Sequence, residues 1–253
     1  MDELRQRLWT LTRTLGEPTR DLVVIGEGNT SARVDSDTFL IKASGQQMQT
    51  MEPEGLVAVR FAPILEMLNA DPPPTLEEQK AIARAAKLDP DAPDPSIEVS
   101  FHALLLSECK ASFIGHTHPT PILSILCSPR AKDFAERRSF PDEAVLCGPR
   151  SAYVPYADPG LPLAHAIRRA VREFHAAEDT WPRVILLENH GLIVLGSSPQ
   201  EVLNVTTMAV KAARVFIGAA ALGGPVFLRS ADVRHIVGRP DEIYRRSQFA
   251  NRS

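Results

Sequence analysis

The chain has 253 residues, 44% of them apolar and 23% charged, enough to bury a sizeable core, and one large domain over 1–253 is expected. A formal net charge of -3 offers no basic field to nucleic acid or to an anionic membrane, which points to a small-molecule ligand. The charged N-terminus lacks the pattern of a secretory signal, and the apolar stretches stop short of the roughly 20 residues that span a bilayer, so a cytoplasmic protein is expected.

Leu4, Leu8, Leu11 and Leu15 recur at helical spacing and predict an opening amphipathic helix over residues 3–15. Two strand-like runs follow, DLVVIGEGN and SARVDSDTFLIKAS, the second with an Asp35-Ser36-Asp37 turn between hairpin strands. Helices are expected over Pro63–Asn69 and Leu76–Lys87, each leading into a loop rich in Pro and Asp. Ser96, a cap-type residue after Pro95, opens a helix that runs to about Glu108 and places Glu98 in its first turn. ASFIGHTHP reads as a buried strand stopped by Pro119, followed by a helix over ILSILCS. Residues 161–178 predict another amphipathic helix, VILLE and LIVLG two strands around Asn189-His190-Gly191, and residues 199–222 a long helix rich in Ala and Val. This alternation of helix and strand indicates sheet layers covered by helices. The stretch from about Ala231 to Ser253 is charged and reads as a partner-facing tail. Cys109, Cys127 and Cys147 lack metal or redox spacing and are expected to be free core thiols.

The chemistry-bearing residues start with His116-Thr117-His118, whose spacing of two on a strand projects both imidazoles from one face, a geometry suited to chelation. Taken alone, such a pair is more often a satisfied buried pair than a site. His190 is a third imidazole, set in a turn between two very apolar strands where a polar ring needs a partner. The glycine beside it would permit a tight turn that aims the ring. Glu98 is the one acid in the uncharged stretch PSIEVSFHALLL, which sets it apart from surface acids. His102, one helical turn on, is a rival ligand or a structural group. His165, His175 and His235 lie among charged residues and are expected to be solvated. The loop Gly26-Glu27-Gly28-Asn29-Thr30-Ser31 and the pair Ser44-Gly45 offer amides and small side chains of the kind that cradle oxyanions. Lys42 adds a positive charge there or is an exposed strand lysine.

Five segments in this order, GEGNTSAR, IKASG, PSIE, HTHP and ENHGLIVLG, resemble the class II aldolase/adducin family over roughly residues 20–222, and within it the aldolase part of bifunctional rhamnulose-1-phosphate aldolases. The resemblance implies an α/β fold, three-layer α/β/α with a central mixed, largely antiparallel sheet, and a homo-oligomer, commonly a tetramer. It puts the zinc ligands on His116, His118 and His190, with cobalt or manganese as alternatives, and the acid/base on Glu98. Substrate phosphate falls on Asn29, Ser44, Gly45 and Ser96, to which the residue reading adds Lys42. The implied reaction is retro-aldol cleavage of a C–C bond in a small-molecule sugar phosphate through a zinc-stabilised enediolate. Epimerisation, dehydration or decarboxylation of a sugar-acid phosphate on the same fold, and a non-catalytic adducin-like interaction domain, are the competing readings. Two positions depart from the family. Ile97 stands where a second Ser often follows the first, and Phe140 lies in a stretch that often supplies a proton-donating tyrosine, leaving Tyr153 or Tyr156 for that part.

Overall fold

The computed structural model describes residues 1–250, which fall into two compact units, Met1–Gly115 with Ala157–Arg169, and His116–Tyr156 with the chain from Ala170 onward. The architecture is mixed α/β, with seven strands flanked by helices.

The first unit opens with α1 (Asp2–Leu15), whose Leu8, Leu11 and Leu15 are buried as the stripe requires, while Leu4 is only partly covered. The expected strand over DLVVIGEGN does not form: residues 21–28 are turn and coil, and the first strand, β1, is Asn29–Arg33. Val24 and Ile25 are exposed, so no core rewards an extended pairing there, and the Glu27 carboxylate closes the segment into a turn by accepting from Val24 N at 2.9 Å. The hairpin of β1 with β2 (Thr38–Lys42) forms as expected, in the register Ser31 to Ile41, with Asp35 Oδ1 accepting from the amides of Asp37 and Thr38 in the turn. β3 (Leu56–Arg60) pairs antiparallel with β2 and leads into α2 (Phe61–Asn69). α3 (Leu76–Ala85) starts on a Thr75–Glu78 capping box, two reciprocal bonds that satisfy otherwise orphaned amides. α4 (Val99–Glu108) is buried continuously from Val99 to Leu106, Ser100 and His102 included. The strand β4 (Phe113–Thr117) begins here, giving the order β3-β2-β1-β4.

The second unit takes the end of β4, then α5 (Thr120–Leu126), α6 (Ala131–Glu136), α7 (Pro141–Cys147) and β5 (Ala152–Val154). α8 (Leu161–Glu178) ends in it, and β6 (Val184–Leu187) and β7 (Gly191–Gly196) complete the order β4-β7-β6-β5, antiparallel between β6 and β7 and parallel between β5 and β6. Every residue of β6 and β7 is buried, the signature of strands covered on both faces. α9 (Pro199–Ala221), capped by Ser198, is the one helix among the described residues apolar and long enough to cross a membrane by composition, yet Val202, Val205, Ala209, Ala213 and Phe216 are buried, as in a core helix. The stretch read as a tail forms α10 (Ser230–Gly238) and α11 (Pro240–Ala250), which pack on α7, with Arg245 ion-paired to Asp142. Residues 251–253 of that stretch lie outside the described residues.

Candidate functional site

β4 delivers His116 to the interior of the second unit, wholly buried, and His118 follows one residue beyond the strand end. Extended backbone turns residues two apart to the same side, and these ring centroids are 4.8 Å apart. His190 comes from the turn between β6 and β7, its ring 5.1 Å from each of the others. One ring nitrogen from each of the three lies within 4.8 Å of the rest. His116 Nδ1 donates to the Leu192 carbonyl at 3.0 Å, and because a carbonyl only accepts, the lone pair of the neutral ring is on Nε2, 3.0 Å from His118 Nε2. Burial first, and then the neighbouring His190, pushes the His116 pKa down to about 3 against the Leu192 bond, so the ring stays neutral near pH 7, the form that binds metals. A tetrahedral ion with bonds of about 2.1 Å sets its ligands about 3.4 Å apart. One nitrogen pair lies 3.0 Å apart and the three donor nitrogens lie within 4.8 Å of one another, so the three imidazoles fit a divalent ion with one position left for substrate.

Gly191 serves this cluster differently from the sequence expectation. The left-handed residue of the turn is Asn189, with φ of 53°, and not the glycine. A Cβ on Gly191 would instead lie 2.7 Å from His118 Cδ2, 2.7 Å from the Thr117 carbonyl oxygen and 3.4 Å from His116 Cε1. Only a residue without a side chain lets β7 start beside these rings.

Glu98 and its surroundings belong to the first unit. Glu98 occupies the cap position of α4, one residue before the expected first turn, and is 8% exposed. Its Oε2 accepts from Asn29 Nδ2 at 2.7 Å, and the same Nδ2 lies 3.2 Å from Ser96 Oγ, which in turn accepts from Glu98 N at 3.3 Å. His102, considered as a rival ligand, is instead buried in this network: its Nε2 is 2.5 Å from Asn29 Oδ1 and its Nδ1 is 2.6 Å from Ser31 Oγ. Ser31 escaped the sequence reading as an individual site residue, although its spacing of two from Asn29 on a strand was the available signal. Lys42 is no exposed strand lysine. It is 3% exposed and its ammonium donates to the carbonyls of Ala43 at 3.3 Å and Gln46 at 2.6 Å. Burial lowers its pKa to about 8, with the Glu98 charge opposing. Ser44 and Ser96 share the wall of a cavity of about 280 Å³ with Ile97, Lys80 and Arg84, while Gly45 follows in a left-handed turn with φ of 73°.

Other candidates are scattered. The Tyr153 phenol hydrogen-bonds the Glu188 carboxylate, and burial followed by that bond raises its pKa to about 12. Tyr156 is exposed, its amide donating to the same carboxylate at 2.9 Å. His165 and His235 are exposed, but His175 stacks on Trp181 at 4.1 Å and is less solvated than expected. Cys109 and Cys147 are buried, whereas Cys127 is exposed and so is not a core thiol.

Residues 6–217 match the family described as Class II Aldolase and Adducin N-terminal domain. A Bacillus subtilis relative named Uncharacterized oxidoreductase YuxG is 28% identical over 200 residues, 76% of this chain and 26% of that protein, so the chain spans about a quarter of that relative's length. The N-terminal class II aldolase domain of a conserved Thermoplasma acidophilum protein superposes with a TM-score of 0.67 at 25% identity, covering 86% of this chain and 95% of that one. An L-fuculose 1-phosphate aldolase superposes with a TM-score of 0.71 at 18% identity over 94% and 95% of the two chains, a likeness of fold. YgbL from Klebsiella pneumoniae, described as a putative aldolase/epimerase/decarboxylase, gives 0.70 at 21% identity over 93% and 98%.

Proposed function

The chain belongs to the class II aldolase and adducin family, and on that premise we propose that it is a metal-dependent lyase that cleaves a C–C bond of a small sugar phosphate by a retro-aldol step. The reading is carried by the convergence of His116, His118 and His190, three imidazole donors gathered from a strand end and a distant turn. A divalent ion held by them, zinc by donor type with cobalt or manganese as alternatives, would supply the Lewis acidity that steadies charge developing on the substrate carbonyl oxygen. Glu98 moves the protons: one leaves the hydroxyl that becomes the aldehyde, and one reaches the carbon left by the broken bond. Ser44, Gly45, Ser96 and Asn29 are assigned to the anionic end of the substrate. Lys42 supports them by fastening the carbonyls of the loop that carries Ser44 and Gly45. Tyr153 and Tyr156 are the phenols assigned as candidates for the aldehyde oxygen. The working form is assigned as a cytoplasmic homotetramer.

Metal analysis of the purified protein, followed by incubation with a panel of ketose and keto-acid phosphates, tests this reading. About one divalent ion per chain and released aldehyde are expected, with Glu98→Gln keeping the ion and losing about 10²- to 10⁴-fold in turnover. Carbon dioxide in place of aldehyde would make the protein a decarboxylase. Absence of any bound ion would favour the non-catalytic adducin-like reading.

A further inference from the structure

The first unit contains a buried hydrogen-bond chain whose direction follows from its chemistry. The Asn29 amide donates from Nδ2 to Glu98 Oε2, 2.7 Å away, and so turns its oxygen the other way. Asn29 Oδ1 can only accept, and at 2.5 Å from His102 Nε2 it requires a proton on that nitrogen. The neutral ring then has a bare Nδ1, which makes Ser31 Oγ, 2.6 Å away, the donor. Every hydrogen therefore points from Ser31 through His102 and Asn29 toward the carboxylate. The fold builds this with two periodicities. Glu98 and His102 are four apart across the first turn of α4, and Asn29 and Ser31 are two apart on β1, so one strand face grips both nitrogens of one ring. All four side chains are at most 8% exposed, so water offers little competition for these bonds.

We infer that His102 is a positioning residue that fixes the Asn29 amide and, through it, the carboxylate of Glu98, and that Asn29 acts as a bridge to Glu98 as well as a contact for substrate. The inference rests on the acid/base role given to Glu98, and it deepens that role: a carboxylate that must move protons is held in one rotamer by a donor that cannot itself accept from it. In this hydrogen-bond chain the ring presents Nε2–H to Asn29.

The chain is tested on the wild-type protein by ¹⁵N NMR of its histidines, the His102 signals being identified by their loss in His102→Gln. The spectrum is expected to show the neutral tautomer with hydrogen on Nε2 and a bare Nδ1. Hydrogen on Nδ1, or a charged ring at pH 7, overturns the inference whatever the activity. Kinetics form the second arm. His102→Ala is expected to lower kcat about 10- to 100-fold with KM changed less than about threefold, as for groups that orient catalytic ones. His102→Gln, whose amide nitrogen falls near Nε2, is expected to restore most of the rate, and His102→Asn, whose amide falls near Nδ1, is not. Equal rates for the Gln and Asn variants would also overturn it. If wild-type protein cleaves nothing, the lyase reading fails and the tautomer still decides whether the chain exists.

Discussion

Gly191→Ala is the sharpest test of the imidazole cluster, because it adds one methyl group and leaves every ligand in place. That methyl would start 2.7 Å from both His118 Cδ2 and the Thr117 carbonyl oxygen. Ordinary carbon contacts begin near 3.4 Å, so something must retreat by roughly 0.7 Å. The backbone on both sides is fixed. Gly191 is held by its pairing with Leu187 in β6, and Thr117 O belongs to the backbone of β4. The side chain of His118 is the part left to move, and ligand positions tolerate only about 0.2 Å. Overpacking of this kind costs about 1–3 kcal/mol. If the strain is relieved on metal release, affinity falls roughly 5- to 150-fold. Competition of the protein against a chelator of known affinity measures the change directly, with Gly26→Ala as control because a Cβ there meets nothing within 4 Å. A Gly191→Ala protein that is folded and holds its ion as tightly as wild type would refute the reasoning.

Three further outcomes follow from the geometry. His190→Ala is expected to stay folded and to lose bound divalent metal on dialysis, since two imidazoles remain of a three-ligand site; retention of a full equivalent by elemental analysis would exclude His190 as a ligand. Lys42 binds its proton less tightly in the folded state, near pH 8 against 10.5, so between those values the unfolded chain holds more protons and stability rises with pH. The wild type should therefore gain up to about 3 kcal/mol relative to Lys42→Met between pH 7 and pH 10.5 in urea unfolding, and a flat difference would contradict the buried ammonium. One thiol per folded chain, Cys127, should react quickly with an aromatic disulfide reagent, while Cys109 and Cys147, buried with pKa values pushed up to about 12, should wait for denaturant; two fast thiols would be inconsistent with this packing.

The sequence made the long apolar elements legible because burial follows pattern: Leu8, Leu11 and Leu15 of α1 and the apolar runs of β6 and β7 are buried where the pattern puts them. His116 and His118 were readable for the same reason, since a spacing of two on a strand fixes direction. Short elements were not. β3, β5, α6 and α7 have three to seven residues each, too few for a period to show, and their stability comes from neighbours distant in sequence. The run containing Val24 and Ile25 misled because β propensity reports fit to a half-buried surface, and this loop has none to offer those two residues. Gly191 was seen, but its purpose is a distance to residues some 70 positions away, which no local pattern contains.

Asn29 shows where residue type stops and role begins. A small amide beside a glycine loop suits an oxyanion, yet here the amide also meets a carboxylate on one side and a ring N–H on the other. Asn29→Asp keeps the shape and reverses one of these contacts. Two carboxylates about 2.7 Å apart cannot both ionise, so one folded-state pKa must rise above its unfolded value. A group raised in this way stabilises the fold below its unfolded pKa, and that contribution is lost as pH rises through the folded value. Relative to wild type, Asn29→Asp should lose about 1–3 kcal/mol between pH 4 and pH 8. Adding Glu98→Gln restores a donor facing an acceptor, with the new carboxylate accepting from both His102 and the introduced amide. The double variant should therefore recover most of the stability that the single one loses at pH 8. If the two substitutions simply add, Asn29 and Glu98 are not coupled, and the directed chain from Ser31 to Glu98 does not exist.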